Sequence, residues 1–141
     1  MVGCKQTSTL DPNINPFFQE WKTSYEVPPF MDIKDEHYMP AYKKGMEENL
    51  KEINAIVQNT EPPNFTNTIE ELERSGKLLS KVGRVFSNLA SSNTNPQLQE
   101  LQRELSPMLS AHSDKILLNK DLFKRVEAVW QDRENINLTS E

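Results

Sequence analysis

Nine prolines, at positions 12, 16, 28, 29, 40, 62, 63, 96 and 107, set how long any regular element of this 141-residue chain can run. Each lacks a backbone donor, fixes φ and pushes the residue before it out of the helical region, so a helix holds one only in its first turn or at a bend. Between the prolines, apolar residues recur at steps of three and four. Period-two alternation, internal repeats and low-complexity tracts are all missing. The pattern predicts an all-α fold, a small antiparallel bundle of three to four helices, preceded by an extended Pro/aromatic N-terminal strap.

The strap reading comes from residues 15–33. Phe17, Phe18, Trp21, Tyr25, Phe30, Met31 and Ile33 lie there among Pro16, Pro28 and Pro29. Such a segment cannot be a long helix, and its aromatics need some other surface to cover them. Residues 1–12 are polar, end in Asp11-Pro12 and read as a flexible leader. In the leader, Val2-Gly3-Cys4 followed by Lys5-Gln6-Thr7 resembles the end of a bacterial lipoprotein signal, which makes Cys4 a lipidation candidate. An incidental free thiol is the other reading of Cys4. A lipid on Cys4 would place the protein in the bacterial periplasm or on its membrane; without one the expectation is cytoplasmic.

Past Asp35, Tyr42, Met46, Leu50, Ile53 and Val57 fall on one helical face, with Pro40 in the first turn and Pro62-Pro63 beyond the end. Thr68 and Glu71 have the spacing of a capping box for a second helix running to about Ser91. Its stripe is Ile69, Leu72, Gly76, Leu79, Gly83, Phe86 and Ala90. Gly76 and Gly83 therefore lie inside an apolar seam, where absent side chains let a neighbour approach the backbone. They are the candidate helix-seam contacts. Asn95 caps a third helix with Pro96 at its first position, carrying Leu98, Leu101, Leu105, Met108, His112 and Ile116 on one face. Pro107 should kink or split it. A fourth helix opens after Asn119 with Leu122, Phe123, Val126, Val129 and Trp130, and Leu138-Thr139-Ser140-Glu141 reads as the start of a further element.

Composition closes several routes to function. A net charge of -5 with pI near 5.1 leaves no face rich in Lys and Arg, so no nucleic-acid partner is expected. Mean hydropathy of -0.71 and short apolar runs exclude a spanning helix, leaving a lipid on Cys4 as the sole expected tie to a membrane. One cysteine allows neither an internal disulfide nor a cysteine metal cluster.

The sequence contains no catalytic constellation. His37 and His112 are the two histidines, far apart in sequence, and no H-E-x-x-H occurs. His37 reads as a hydrogen-bonding residue at a helix start and His112 as a satisfied structural histidine. There is no G-x-S-x-G elbow, and Ser75-Gly76-Lys77 lacks the first glycine and the following hydroxyl of a phosphate loop. Glu47-Glu48 and Glu70-Glu71 read as solvated helix faces. No catalytic or metal-binding residue is assigned to this chain.

Several stretches, taken together, resemble the N-terminal region of the thimet oligopeptidase and neurolysin family of zinc metallopeptidases, most closely its bacterial peptidyl-dipeptidase branch. They are NPFFQEW (15–21), VPPFMDIKDEHYMPAY (27–42), PPNFTNTIEELERSG (62–76), FSNLASSNTN (86–95), AHSDKILLN (111–119), LFKRV (122–126) and LTSE (138–141). The resemblance implies a large helical enzyme with a deep channel between two halves. Its zinc is held by the two histidines of H-E-x-x-H and a downstream glutamate, and the motif glutamate activates water. None of those residues is in this sequence. The resemblance further implies that residues 13–141 are a non-catalytic, truncated N-terminal domain forming part of the channel wall. Its partner would be the missing catalytic domain, and the parent would release C-terminal dipeptides from short peptides. The competing expectation is a standalone helical lipoprotein interaction module without activity.

Overall fold

The computed structural model describes residues 10–11, 13–23, 25, 27–92 and 95–135. Cys4 and the sequence 138–141 lie outside the described residues. The longer elements are α1 (Tyr38–Gln58), α3 (Lys77–Ser92), α4 (Pro96–Leu117) and α5 (Lys120–Gln131), with a short α2 (Glu71–Arg74) preceded by a π-helical segment, Phe65–Glu70. No strand occurs among the described residues, so the chain is an all-α bundle.

α1 and α3 form the most extensive pairing. Partners of Tyr42, Gly45 and Asn49 on the other side are Phe86, Leu79 and Ser75 in turn, so the two helices run antiparallel. α4 reverses again: its cap Asn95 donates to Asp35 at the start of α1, and its His112 meets Asn49 further along. α5 folds back across the far end of α1.

The strap lies where its aromatics can be covered. A 3-10 turn at Pro16–Phe18, capped by Asn15 accepting from the Phe17 N–H, tucks Phe17 into the bundle. There Phe17 meets Tyr38, with ring centroids 5.3 Å apart, and Tyr38 meets Phe86 edge-on at 5.2 Å. Lys81 of α3 donates to the Phe17 and Gln19 carbonyls at 3.2 and 2.9 Å and lies 4.0 Å over the Trp21 ring. Burial pushes its pKa down. Phe18, Tyr25, Phe30 and Met31 of the same segment stay exposed.

Two local expectations need correction. The second helix is not continuous: α2 ends at Arg74, Ser75 is extended, and Gly76 takes φ +70 before α3 begins. It also starts earlier, capped by a reciprocal pair in which Asn64 Oδ1 accepts from the Asn67 N–H and Asn67 Oδ1 from the Asn64 N–H, at 2.8 and 2.9 Å. The Thr68 hydroxyl instead donates to Asn67 and is buried. At Pro107, by contrast, α4 runs through without splitting. Pro107 sits on the exposed face, where the Arg103 carbonyl left without a donor can be hydrated.

Among the described glycines, the closest approach falls at Gly45. A Cβ there would lie 2.9 Å from Leu79 Cα and N, so only glycine lets α1 and α3 come this near. At Gly76 a Cβ would meet the Asn49 amide at 3.1 Å, and at Gly83 it would meet the Tyr42 hydroxyl at 3.8 Å, an ordinary contact.

Candidate functional site: a polar layer between two cores

The core is divided. One cluster gathers Phe17, Tyr38, Tyr42, Val82, Phe86, Leu98 and Leu105, among others. The second consists of Ile53, Ile56 and Leu122, with Val57, Leu72 and Ile116 against it. Along α1, along the α2–α3 segment and along α4, one polar position falls between the two clusters. Those positions are Asn49, Ser75-Gly76 and His112, and they meet.

The hydrogen-bond directions follow from one fixed donor. Ser75 Oγ donates to the Leu72 carbonyl at 2.7 Å, so it can only accept from Asn49 Nδ2, at 3.2 Å. That fixes the Asn49 amide, whose Oδ1 then faces His112 Nε2 at 2.8 Å. Nε2 must therefore carry the proton, and Nδ1 is a bare lone pair, buried and without a partner. Burial, helped by Lys115, pushes the His112 pKa down, which keeps the ring neutral. On the layer's outer side Glu52 Oε2 accepts from the Gly76 N–H at 2.7 Å, placing a carboxylate at the start of α3, where the helix dipole favours it.

Serine, asparagine and histidine in a row suggest acyl-transfer chemistry, but the order forbids it. Asn49 stands between Ser75 and His112, so no base reaches the serine hydroxyl, which is already spent on a carbonyl. The other histidine is spent too: His37 Nδ1 accepts from the Lys34 N–H at 3.0 Å, as expected of a residue at a helix start. Among the described residues no three His, Cys, Asp or Glu side chains converge as metal donors. No helix among them is long and apolar enough to cross a membrane.

A second polar anchor closes the far end. Arg125 of α5 is buried, and its guanidinium donates to the Asn59 carbonyl at 2.8 Å and to Asn67 Oδ1 at 3.2 Å. It thereby ties α5 to the end of α1 and to the π-helical segment. Beside it an open cleft of about 510 Å³ runs between α1 and α2, lined by Glu52, Ile56, Asn67, Glu71, Arg74 and Lys77 among others. Arg74 is held by Glu70 and Glu71 at 3.2 and 2.9 Å, so the charges along this wall are largely balanced.

Of the candidate residues from the sequence, Gly76 sits against the polar layer and Gly83 beside Tyr42. Asn49, Gly45 and Arg125 were not anticipated. The signal for Asn49 was available: Tyr42, Met46, Asn49, Ile53 and Ile56 are spaced by four, three, four and three, and this stripe is the buried one. Leu50 and Val57, chosen for being apolar, are only half-buried.

No family model matches the chain. Individual proteins do. The dipeptidyl carboxypeptidase of Escherichia coli (strain K12) is 43% identical over 128 residues, which are 91% of this chain and 19% of that protein. The Salmonella typhimurium dipeptidyl carboxypeptidase is 44% identical over 127 residues, again 19% of its length. Oligopeptidase A of Salmonella typhimurium is 30% identical over 91 residues, covering 64% of this chain and 13% of that protein. The chain thus spans about a fifth of the length of these two dipeptidyl carboxypeptidases.

Proposed function

Since the chain belongs to the family of the bacterial dipeptidyl carboxypeptidases and oligopeptidases A, we propose that it is the N-terminal helical domain of a zinc-dependent peptidase. In this reading the parent protein hydrolyses short peptides and releases C-terminal dipeptides. The domain supplies no catalytic group and forms part of the wall that restricts entry to the substrate channel. The observation that carries the proposal is sequence identity spread over nearly all of this chain but only a fifth of the relatives.

The described residues of this chain do not fit a zinc site. His37 and His112 are on separate elements, each with a nitrogen already hydrogen-bonded. Zinc chemistry would belong to the remainder of the polypeptide, and no step of it is routed through these helices. What these helices contribute is shape: a rigid wall whose interior is tied by Asn49, His112 and Arg125.

Assay of the full polypeptide tests this. Mass spectrometry should detect dipeptides released from short peptides with a free C-terminus, with little cleavage of folded proteins, while the 141-residue chain alone releases none. Peptidase activity with one zinc per chain in the 141-residue protein would overturn the assignment, as would a full polypeptide that yields no dipeptide. The proposal extends to location through Cys4: lipidated, it anchors the protein at the periplasmic membrane, and mass spectrometry of the native N-terminal peptide would find or exclude the lipid.

A further inference from the structure

One helix of the bundle has two apolar faces and only one is covered. The inner face of α5, Leu122, Arg125 and Val129, packs into the bundle. The outer stripe, Phe123, Val126 and Trp130, has the three-and-four spacing of a helix-packing seam. Yet Phe123 is 63% and Trp130 65% exposed. Leu117 and Leu118, at the corner where α4 turns into α5, are 75% and 76% exposed. A single exposed leucine means little, but four large apolar side chains left exposed between residues 117 and 130, along the length of α5 and the turn before it, mark a contact surface. Phenylalanine and tryptophan are also the residue types that concentrate binding energy at the centre of interfaces.

Resting on the family reading above, we propose that this outer face of α5, carrying Phe123 and Trp130, is the surface on which the remaining four-fifths of the peptidase polypeptide seats. The relatives carry that much further chain, and it has to pack on some face of these helices. The rim suits a protein surface and not a charged polymer or an anionic membrane. Lys120, Glu127 and Glu134 mix both signs around the stripe, and Arg133 is already stacked 4.3 Å over the Trp130 ring, its guanidinium also donating to the Trp130 carbonyl. An Arg-backed indole, with Phe123 two turns away on the same stripe, offers the occupant apolar contacts with polar edges.

The test is hydroxyl-radical footprinting of two proteins: the 141-residue chain, and a full-length chimera in which this chain replaces the matching stretch of the Escherichia coli dipeptidyl carboxypeptidase. Oxidation of Phe123 and Trp130 should be fast in the free chain and fall severalfold in the chimera. Phe123→Glu combined with Trp130→Glu should leave the melting of the free chain nearly unchanged but lower that of the chimera. An active, folded chimera in which both side chains oxidise as fast as in the free chain overturns this surface and leaves the family reading intact. A chimera that neither folds nor cleaves peptides overturns the family reading and this surface with it. Protection that appears in the free chain as concentration rises, together with dimers by light scattering, makes a second copy the occupant and also overturns the proposal.

Discussion

The two ends of the bundle are held together differently. At the Tyr38 end three elements meet through four aromatic rings: Phe17 from the strap, Tyr38 and Tyr42 from α1, and Phe86 from α3, with neighbouring centroids between 5.2 and 5.8 Å. Burial pushes the pKa of both tyrosines up to about 12, so neither ionises in any ordinary buffer. At the far end the apolar cluster is small, made of Ile53, Ile56 and Leu122 with a few half-buried neighbours, and more of the burden shifts to directed bonds from Asn49, His112 and Arg125. Apolar contacts tolerate small displacements, whereas a buried donor or acceptor that loses its partner costs its desolvation in full. The aromatic end should thus govern how stable the domain is, and the polar end how uniquely its helices are placed.

The largest effect is expected at the aromatic end. Tyr38→Ala removes a fully buried ring that touches both Phe17 and Phe86 and should cost about 3–5 kcal/mol in urea denaturation. Tyr38→Phe should be close to neutral, because the hydroxyl is buried without a partner. If the two variants unfold alike, the ring contacts are not what holds that end.

Next come the glycines at the helix contacts. Gly76→Leu places a side chain at φ +70 and against the Asn49 amide, and Gly45→Leu drives a Cβ into the Leu79 backbone. Each should cost about 1–3 kcal/mol, by strain at the first site and overpacking at the second. Gly76→Asn separates the two causes, since asparagine tolerates the left-handed region better than leucine does. An unchanged melting temperature for Gly45→Leu would mean that the helices can spread freely.

Arg125→Ala strips donors from the Asn59 carbonyl and the Asn67 amide and should cost about 1–3 kcal/mol. The comparison sharpens if hydrogen exchange rises mainly around residues 59–70 and not in the aromatic cluster. Global exchange at every site would instead make the two ends one cooperative unit.

His112 gives the polar end a pH dependence. Its pKa in the folded chain is below the ordinary value of 6.5, so near that pH the unfolded chain binds more protons. The stabilisation is complete above 6.5 and declines as the pH falls from there towards the folded value. Urea midpoints should therefore drop between pH 7 and the upper carboxylate range, and His112→Gln, which can still donate to Asn49, should flatten the slope. Equal slopes for both proteins would remove His112 from the account.

The smallest effect is at Gly83. A Cβ there makes an ordinary contact with the Tyr42 hydroxyl, so Gly83→Ala should change stability by no more than about 1 kcal/mol, in the stabilising direction. A loss measured by thermal melting would show that α3 approaches α1 more closely there than the contact at 3.8 Å implies.

Much of this architecture was legible from the chain. Pro96 after Asn95, the stripe from Leu98 to Ile116, and the Asn119 cap all stand where spacing put them, because caps and periodicity are local properties. The break at Gly76 was not, since a glycine in an apolar stripe reads equally as a packing notch or as a left-handed turn. Nor was the polar layer. Asn49 is buried only because Ser75 and His112, distant in sequence, arrive with the groups it needs.

The sequence alone determined helix or strap, cap and stop, the absence of an H-E-x-x-H, and the family resemblance, all of which rest on residues near one another in the chain. Tertiary structure decided which glycine is the true point of close approach, which polar groups can be buried, and which aromatics stay outside. Those outcomes depend on what a neighbouring element brings to the same place. Phe17 and Phe18 are adjacent and of one type, yet Tyr38 and Phe86 lie on the side that Phe17 faces, and only Phe17 is buried.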